Sequence, residues 1–376
     1  MTTGGLAAAD GGLPGPTRRR RLRRNWVLSI GCVSLLVAFV GGAIFVQSWL
    51  SQDRSHLTDT WTWDGQDWNQ ANSSQSPSWR WTAAYVYDEK ANQIVLFGGQ
   101  TGESGDAMLS ADTWSWDGHW TLRQPTLSPP AREGAAAASD PIRGNVVLFG
   151  GQADVAGSQL LADTWTWDGQ TWHLMATKQA PPAEIFDRSQ LAAFDPKSGQ
   201  VILVSQSDTT SLWTVDTWGW DGQTWTKLGS AEDLPTPAPL VGAPELPLNI
   251  FLYTDSQHGR VVMLGAGVPL SWDGSKWSPV GVSSAVLVRG GDFAYDAQTA
   301  TVISFGGSTC TGFIGGGGDP STAETWGWDG AAWRRLDPHT QPPLRSITYL
   351  AYDSRIQRVV MFGGYHAYSC FGNALF

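Results

Sequence analysis

Charged side chains are scarce in this chain, 15% of 376 residues, and so is cysteine, with three. Three thiols exclude a small fold stapled by a dense disulfide framework and leave room for one bridge in an oxidising compartment. Basic residues are scarce in a second sense, because they are unevenly placed. Six of the 24 Lys and Arg crowd positions 18–24, and Asp10 is the one acid of 34 that precedes position 51. Residues 51–376 therefore hold 18 bases against 33 acids, a net charge of −15. A surface of that sign repels phosphate backbones, whose recognition needs clustered cations, so nucleic acid is excluded as a partner. Short catalytic signatures are missing as well: there is no G-x-S-x-G elbow, no P-loop and no H-E-x-x-H zinc motif. What the chain has in excess is 22 Trp and 44 Gly, which points to aromatic packing and tight turns as the dominant architectural devices.

One long apolar run stands out. No charge occurs between Arg24 and Asp53, and Trp26–Val46 is long enough to cross about 30 Å of hydrocarbon as a helix. Arg18, Arg19, Arg20, Arg21, Arg23 and Arg24 flank one side only, so the positive-inside rule places residues 1–25 in the cytoplasm as a disordered tail. The expectation is a single-pass transmembrane helix over 26–50 and a domain, 51–376, outside the plasma membrane. A cleaved signal peptide competes, with Gly41–Ala43 as a poor cleavage site, but its apolar core would be shorter. Cys32, inside the run, reads as a small buried apolar residue.

From residue 59 one phrase recurs six times: DTWTWDGQDW (59–68), DTWSWDGHW (112–120), DTWTWDGQTW (163–172), DTWGWDGQTW (216–225), PLSWDGSKW (269–277) and ETWGWDGAAW (324–333). Its second Trp falls at Trp63, Trp116, Trp167, Trp220, Trp272 and Trp328, at intervals of 53, 51, 53, 52 and 56 residues. The phrase reads as a hairpin, with Asp64-Gly65 supplying the φ > 0 turn and Trp68 opening the return strand. The second copy is one residue short at its turn, and the fifth has Leu270 in place of the first Trp, so both are expected to differ locally. A second hairpin lies between the phrases, clearest in RSITYLAYDSRIQRVVMFGG (345–364), with copies at 80–99 and 132–151 and degenerate versions ending at 201–206, 261–267 and 302–307. Two short hairpins per period, with no helical periodicity, predict four-stranded blades around a channel.

The Gly-Gly strand end, the aromatic strand and the later Trp resemble the kelch repeat of galactose-oxidase-like propellers over residues 59–365. The resemblance implies an all-β, six-bladed kelch-type β-propeller whose last blade combines strands from both termini. The phase of the repeat agrees: it starts with the Asp-Thr-Trp hairpin alone (59–68) and ends with the Gly-Gly hairpin alone (345–364). Closure of this kind removes an unpaired sheet edge.

The repeated Asp, Gly and Trp are expected to serve turns and stacking. The Asp59–Asp64 spacing is unlike a calcium loop. The repeated Arg80, Arg132, Arg188, Arg289 and Arg345 are expected to bind carbonyls or carboxylates at blade junctions, or an anion where they line the channel mouth. A copper-radical centre of the galactose-oxidase kind needs two Tyr and two His on one metal. His56, His119, His173, His258, His339 and His366 are scattered, and His366, beside Tyr365 and Tyr368, is the one near a top-face position. No cofactor or metal is expected. In propellers of this kind the segments after Gly-Gly and between blades share one face; here they are long and irregular, which makes that face the expected binding surface, with Arg80, Arg132, Arg345, Tyr365 and His366 as candidate binding residues. Cys310 and Cys370 follow Gly-Gly ends in neighbouring blades and are expected to form a disulfide. The expected role is an interaction module for an extracytoplasmic protein or glycan; the competing reading is a carbohydrate-processing enzyme, an oxidase or epimerase, on the same propeller.

Overall fold

The computed structural model describes residues 54–102, 106–183, 191–206, 215–231, 250–265, 268–281, 292–307 and 321–367. These belong to the second of two units, Met1–Asp53 and Arg54–Phe376. The expected tail (1–25) and membrane-spanning helix (26–50) lie outside the described residues, among which no helix is long and apolar enough to cross a membrane.

Both hairpins of each period form where the sequence places them. Together they make six four-stranded antiparallel sheets. Blade 1 runs Ala84–Asp88, Gln93–Phe97, Thr113–Trp116, Trp120–Arg123 from axis to rim, and blade 2 runs Ala136–Asp140, Asn145–Phe149, Thr164–Trp167, Trp172–Met175. Blades 3, 4 and 5 repeat the order from innermost strands Ala192–Asp195, Phe251–Asp255 and Asp292–Asp296. Blade 6 joins the ends of the chain: Tyr349–Asp353 and Arg358–Ala367 come from the C-terminal side, Arg54–Trp63 and Trp68–Ala71 from the N-terminal side. The six innermost strands neighbour one another in an unbroken cycle, blade 6 touching both blade 5 and blade 1. The architecture is a closed six-bladed β-propeller.

The turns obey the residues that make them. In five copies of the phrase the Asp side chain accepts the backbone N–H groups two and three residues on, as Asp64 does from Gln66 and Asp67 at 3.0 and 2.9 Å. Gly65 follows at φ 98°, a conformation that an L side chain strains to adopt. In the short second copy Trp116 pairs with Trp120 across a three-residue loop, closed by Asp117 N–H to His119 O.

The core is not one cluster but six, each straddling one junction between neighbouring blades. Every blade contributes a cross-strand Trp pair, such as Trp167 on Trp172 at 5.4 Å. In five of the six pairs the outer indole reaches back to the preceding blade. Trp120 donates Nε1–H to Thr60, Trp172 to Thr113, Trp225 to Thr164, Trp277 to Thr217 and Trp68 to Thr325, at 2.8–3.0 Å. The acceptor is always the Thr of Asp/Glu-Thr-Trp. In the divergent fifth copy Pro269 stands in its place, so the junction of blades 4 and 5 lacks that hydroxyl. There Phe251 stacks on Phe293 at 5.2 Å and Tyr253 on Tyr295 at 5.0 Å instead.

Thr164→Val removes one hydroxyl and leaves the buried Trp225 N–H without its acceptor. The expected loss is about 1–3 kcal/mol by urea unfolding.

Candidate functional site

In a four-stranded meander, the connections between second and third strands and between successive blades emerge at the same end of the blade. At that end three consecutive blades carry the same small construction. The residue after the repeated Arg bridges the residue after Gly-Gly, which pairs in turn with a further extended segment. Blade 1 aligns Trp81, Gln100 and Leu109; blade 2 aligns Glu133, Gln152 and Leu160; blade 6 aligns Ser346, Tyr365 and His56. Gly-Gly is required beneath these strips by close approach. A Cβ on Gly98 would lie 2.6 Å from the Arg132 carbonyl oxygen of the next blade, and one on Gly99 2.6 Å from that of Trp81. Just past each strip the backbone is left-handed, at Thr82 (φ 46°), Gly134 (φ 62°) and Ile347 (φ 57°). For the β-branched Thr82 and Ile347 this is a strained conformation that the surrounding hydrogen bonds must hold.

The three candidate arginines are placed beneath the strips and are at most 2% exposed. Arg80 makes a bidentate pair with Asp112 (2.6 and 3.0 Å), Arg132 with Asp163 (2.6 and 2.9 Å) and Arg345 with Asp59 (2.6 and 2.9 Å). Each also donates to its own blade's Gly-Gly carbonyl, at Gly98, Gly150 and Gly363. The Nε–H of each goes to the carbonyl two residues earlier, at Ser78, Pro130 and Pro343. Arg80 spends its fifth donor on Ser78 Oγ. These are blade locks, the first of the two roles expected for them. Arg345–Asp59 joins residues 286 apart and fastens the two ends of the chain. Arg188, Arg289, Cys310 and Cys370 lie outside the described residues.

The Asp partners come from the first position of the Trp phrase, and each also accepts the indole N–H two residues on, as Asp59 does from Trp61 at 2.7 Å. Burial pushes the carboxyls of Asp59, Asp112 and Asp163 up, but the hydrogen bonds and positive charge of the arginines, with the indole donors, outweigh it. All three are held below the usual carboxylate value.

The structure brings Tyr365 into a cluster that sequence reasoning missed. His56, Trp79, Trp81 and Tyr365 form a closed cycle of ring contacts, with centroids 3.6 Å apart for His56–Trp79, 5.2 Å for Trp79–Trp81, 5.7 Å for Trp81–Tyr365 and 5.4 Å for Tyr365–His56. All four side chains are partly exposed. His366, by contrast, is buried opposite Ser55 and lies behind this surface. The signal was legible in one respect: Ser78-Trp79-Arg80-Trp81 is the one copy that flanks its Arg with two indoles. His56 was hidden because its strand begins at Arg54, before the first repeat phrase. Beside the rings, Thr82 Oγ1 donates to Glu133 Oε2 at 2.8 Å, and Gln152 Nε2 donates to Glu133 Oε1 at 2.6 Å. Among the described residues no three His, Cys, Asp or Glu side chains converge as a metal would need.

No known protein-family profile matches the chain. A stretch of 111 residues, 28% of the chain, is 35% identical to part of dynein regulatory complex subunit 7 of Chlamydomonas reinhardtii, and the match spans 9% of that protein's length. Among solved structures, YjhT aligns over 76% of this chain and 95% of its own, with TM-score 0.47 and 11% identity. A fungal alcohol oxidase of the AA5 family in complex with copper aligns over 79% and 64%, with TM-score 0.45 and 14% identity. A structural-genomics protein of unknown function from Bacteroides thetaiotaomicron aligns over 83% and 76%, with TM-score 0.42 and 10% identity. The six-bladed architecture stands on this chain's own strand pairing.

Asp59→Ala strands the fully buried Arg345 guanidinium, and the expected cost is about 3–5 kcal/mol. Arg335→Ala, which breaks the exposed pair with Glu324, is expected to cost under about 1 kcal/mol. Because the three lock carboxyls titrate below their unfolded value of 3.8, their contribution is present above that value and is lost as pH falls through the depressed folded values. The melting temperature is therefore expected to hold from neutral pH to about 5 and fall steeply below 4. The fall should be shallower in Asp59→Asn.

Proposed function

We propose that this chain is a kelch-type propeller anchored in the plasma membrane by residues 26–50, with its N-terminus in the cytoplasm and its propeller outside, and that it acts as an interaction module. Its partner is an extracytoplasmic protein or glycan, taken at the loop-bearing face. The apolar run and its one-sided arginine flank support the anchor. One observation carries the binding role: the cycle of His56, Trp79, Trp81 and Tyr365 leaves four aromatic side chains partly exposed at the junction of blades 6 and 1. Ten of the twelve indoles in the cross-strand Trp pairs, by contrast, are buried between blades. Partly exposed aromatic side chains on a rigid scaffold supply large contact area at low entropic cost, as binding surfaces require.

The test is binding of the full-length chain to arrays of glycans and surface proteins, compared with Trp81→Ala and Tyr365→Ala. At least one ligand is expected to be lost in both variants while the melting temperature stays within a few degrees. Binding that ignores both substitutions would remove the site. For the anchor, carbonate washing should leave the chain in the membrane pellet, and protease added outside whole cells should digest the propeller.

A further inference from the structure

Glu133 stands apart from the other acidic side chains at this end of the blades. Its side chain belongs to a residue 7% exposed, its two oxygens accept hydrogen bonds from Thr82 and Gln152, and both donors are neutral. Among the described residues it makes no ion pair, whereas Asp59, Asp112 and Asp163 at the same end of the blades are each matched by a buried arginine. A carboxylate withdrawn from water without a cation is costly, and an incoming positive group would relieve that cost. Trp81 is joined to it through Thr82, whose carbonyl also accepts the Gly134 N–H at 2.8 Å. The third segments of these two strips carry exposed apolar side chains, Met108 at 67% and Leu160 at 42%.

Resting on the binding role proposed above, we infer that this surface takes a basic peptide segment of a protein partner, one arginine of which stacks on the Trp81–Tyr365 rings with its charge towards Glu133. Three features agree on that chemistry. Guanidinium is planar and weakly hydrated and stacks on indole and phenol faces. The lock arginines have their charge balanced by their aspartates, so they add little repulsion. The net charge of −15 over residues 51–376 attracts a cationic segment over distance. The apolar Met108 and Leu160 favour a peptide over a small free cation, because they offer contact to the residues on either side of the arginine.

The experiment is fluorescence anisotropy of labelled hexa-arginine, hexa-lysine and hexa-glutamate on the full-length chain at two salt concentrations, with a neutral oligosaccharide arm. Expected is binding of hexa-arginine on the order of tenfold tighter than hexa-lysine, and a loss on the order of tenfold in Trp81→Ala. Glu133→Gln should weaken hexa-arginine several-fold and flatten its salt dependence, and Trp81→Phe should retain most of the binding, which guards against a folding defect. Equal affinity for the two basic peptides, or hexa-arginine binding indifferent to Trp81→Ala, overturns the inference. If a neutral glycan depends on Trp81 and hexa-arginine does not, the partner chemistry is wrong and the binding site stands; if no probe depends on Trp81 or Tyr365, both fall.

Discussion

The propeller depends on indoles packed between its blades. No blade is wide enough to enclose a core, and the buried apolar residues accordingly divide into six clusters, each shared by two neighbours. A blade detached from the ring would expose both of its faces, so the stability of each depends on the two beside it. The Trp–Thr hydrogen bond across five junctions adds direction to this packing. It fixes how one blade sits against the next, which hydrophobic contact alone does not. The exception supports the rule. Where Pro269 removes the hydroxyl, stacked Phe and Tyr pairs from the two inner strands take over the contact.

Because the clusters form a cycle, the ring must be closed. Closure is achieved by the Arg54–Trp63 strand pairing with Arg358–Ala367, and the Arg345–Asp59 lock repeats across the two chain ends a bond that blades 1 and 2 make within themselves. The lock uses the same residues as a binding site for an anion would. What decides between the roles is burial and partner count: a guanidinium whose donors are committed to a carboxylate and two carbonyls has little left to offer a ligand.

The fold was legible because its causes repeat. Asp-Gly at fixed spacing announces a turn, Trp at alternate positions announces a strand face, and Gly-Gly announces a backbone crossing, all of them local. The offset start and end of the repeat also pointed to the blade that combines its first and last hairpins. The site was less legible for the opposite reason. Trp79, Trp81, Glu133 and His56 are departures from the repeat, and they gather only because Gly-Gly turns bring segments from blades 6, 1 and 2 side by side. Tyr365 could be chosen from its place after Gly363-Gly364. His366 could be chosen by the same reasoning, yet the alternation of a strand sends it to the opposite side and buries it.

Repetition also explains why side-chain chemistry can vary here at modest cost to the scaffold. Arg80, Arg132 and Arg345 with their aspartates hold the strip-bearing ends of three blades rigid and nearly neutral. The residue immediately after each arginine is then free to vary: Trp81, Glu133 and Ser346 occupy the same structural position and differ completely in chemistry. The strained Thr82 and Ile347 backbones sit one residue further on, within the hydrogen-bonded frame that can hold them. On one repeated backbone, an aromatic side chain in one blade stands partly exposed, while a carboxylate in the next and a small hydroxyl in the third are buried. The lock maintains the frame, and the position beside it changes chemistry from blade to blade.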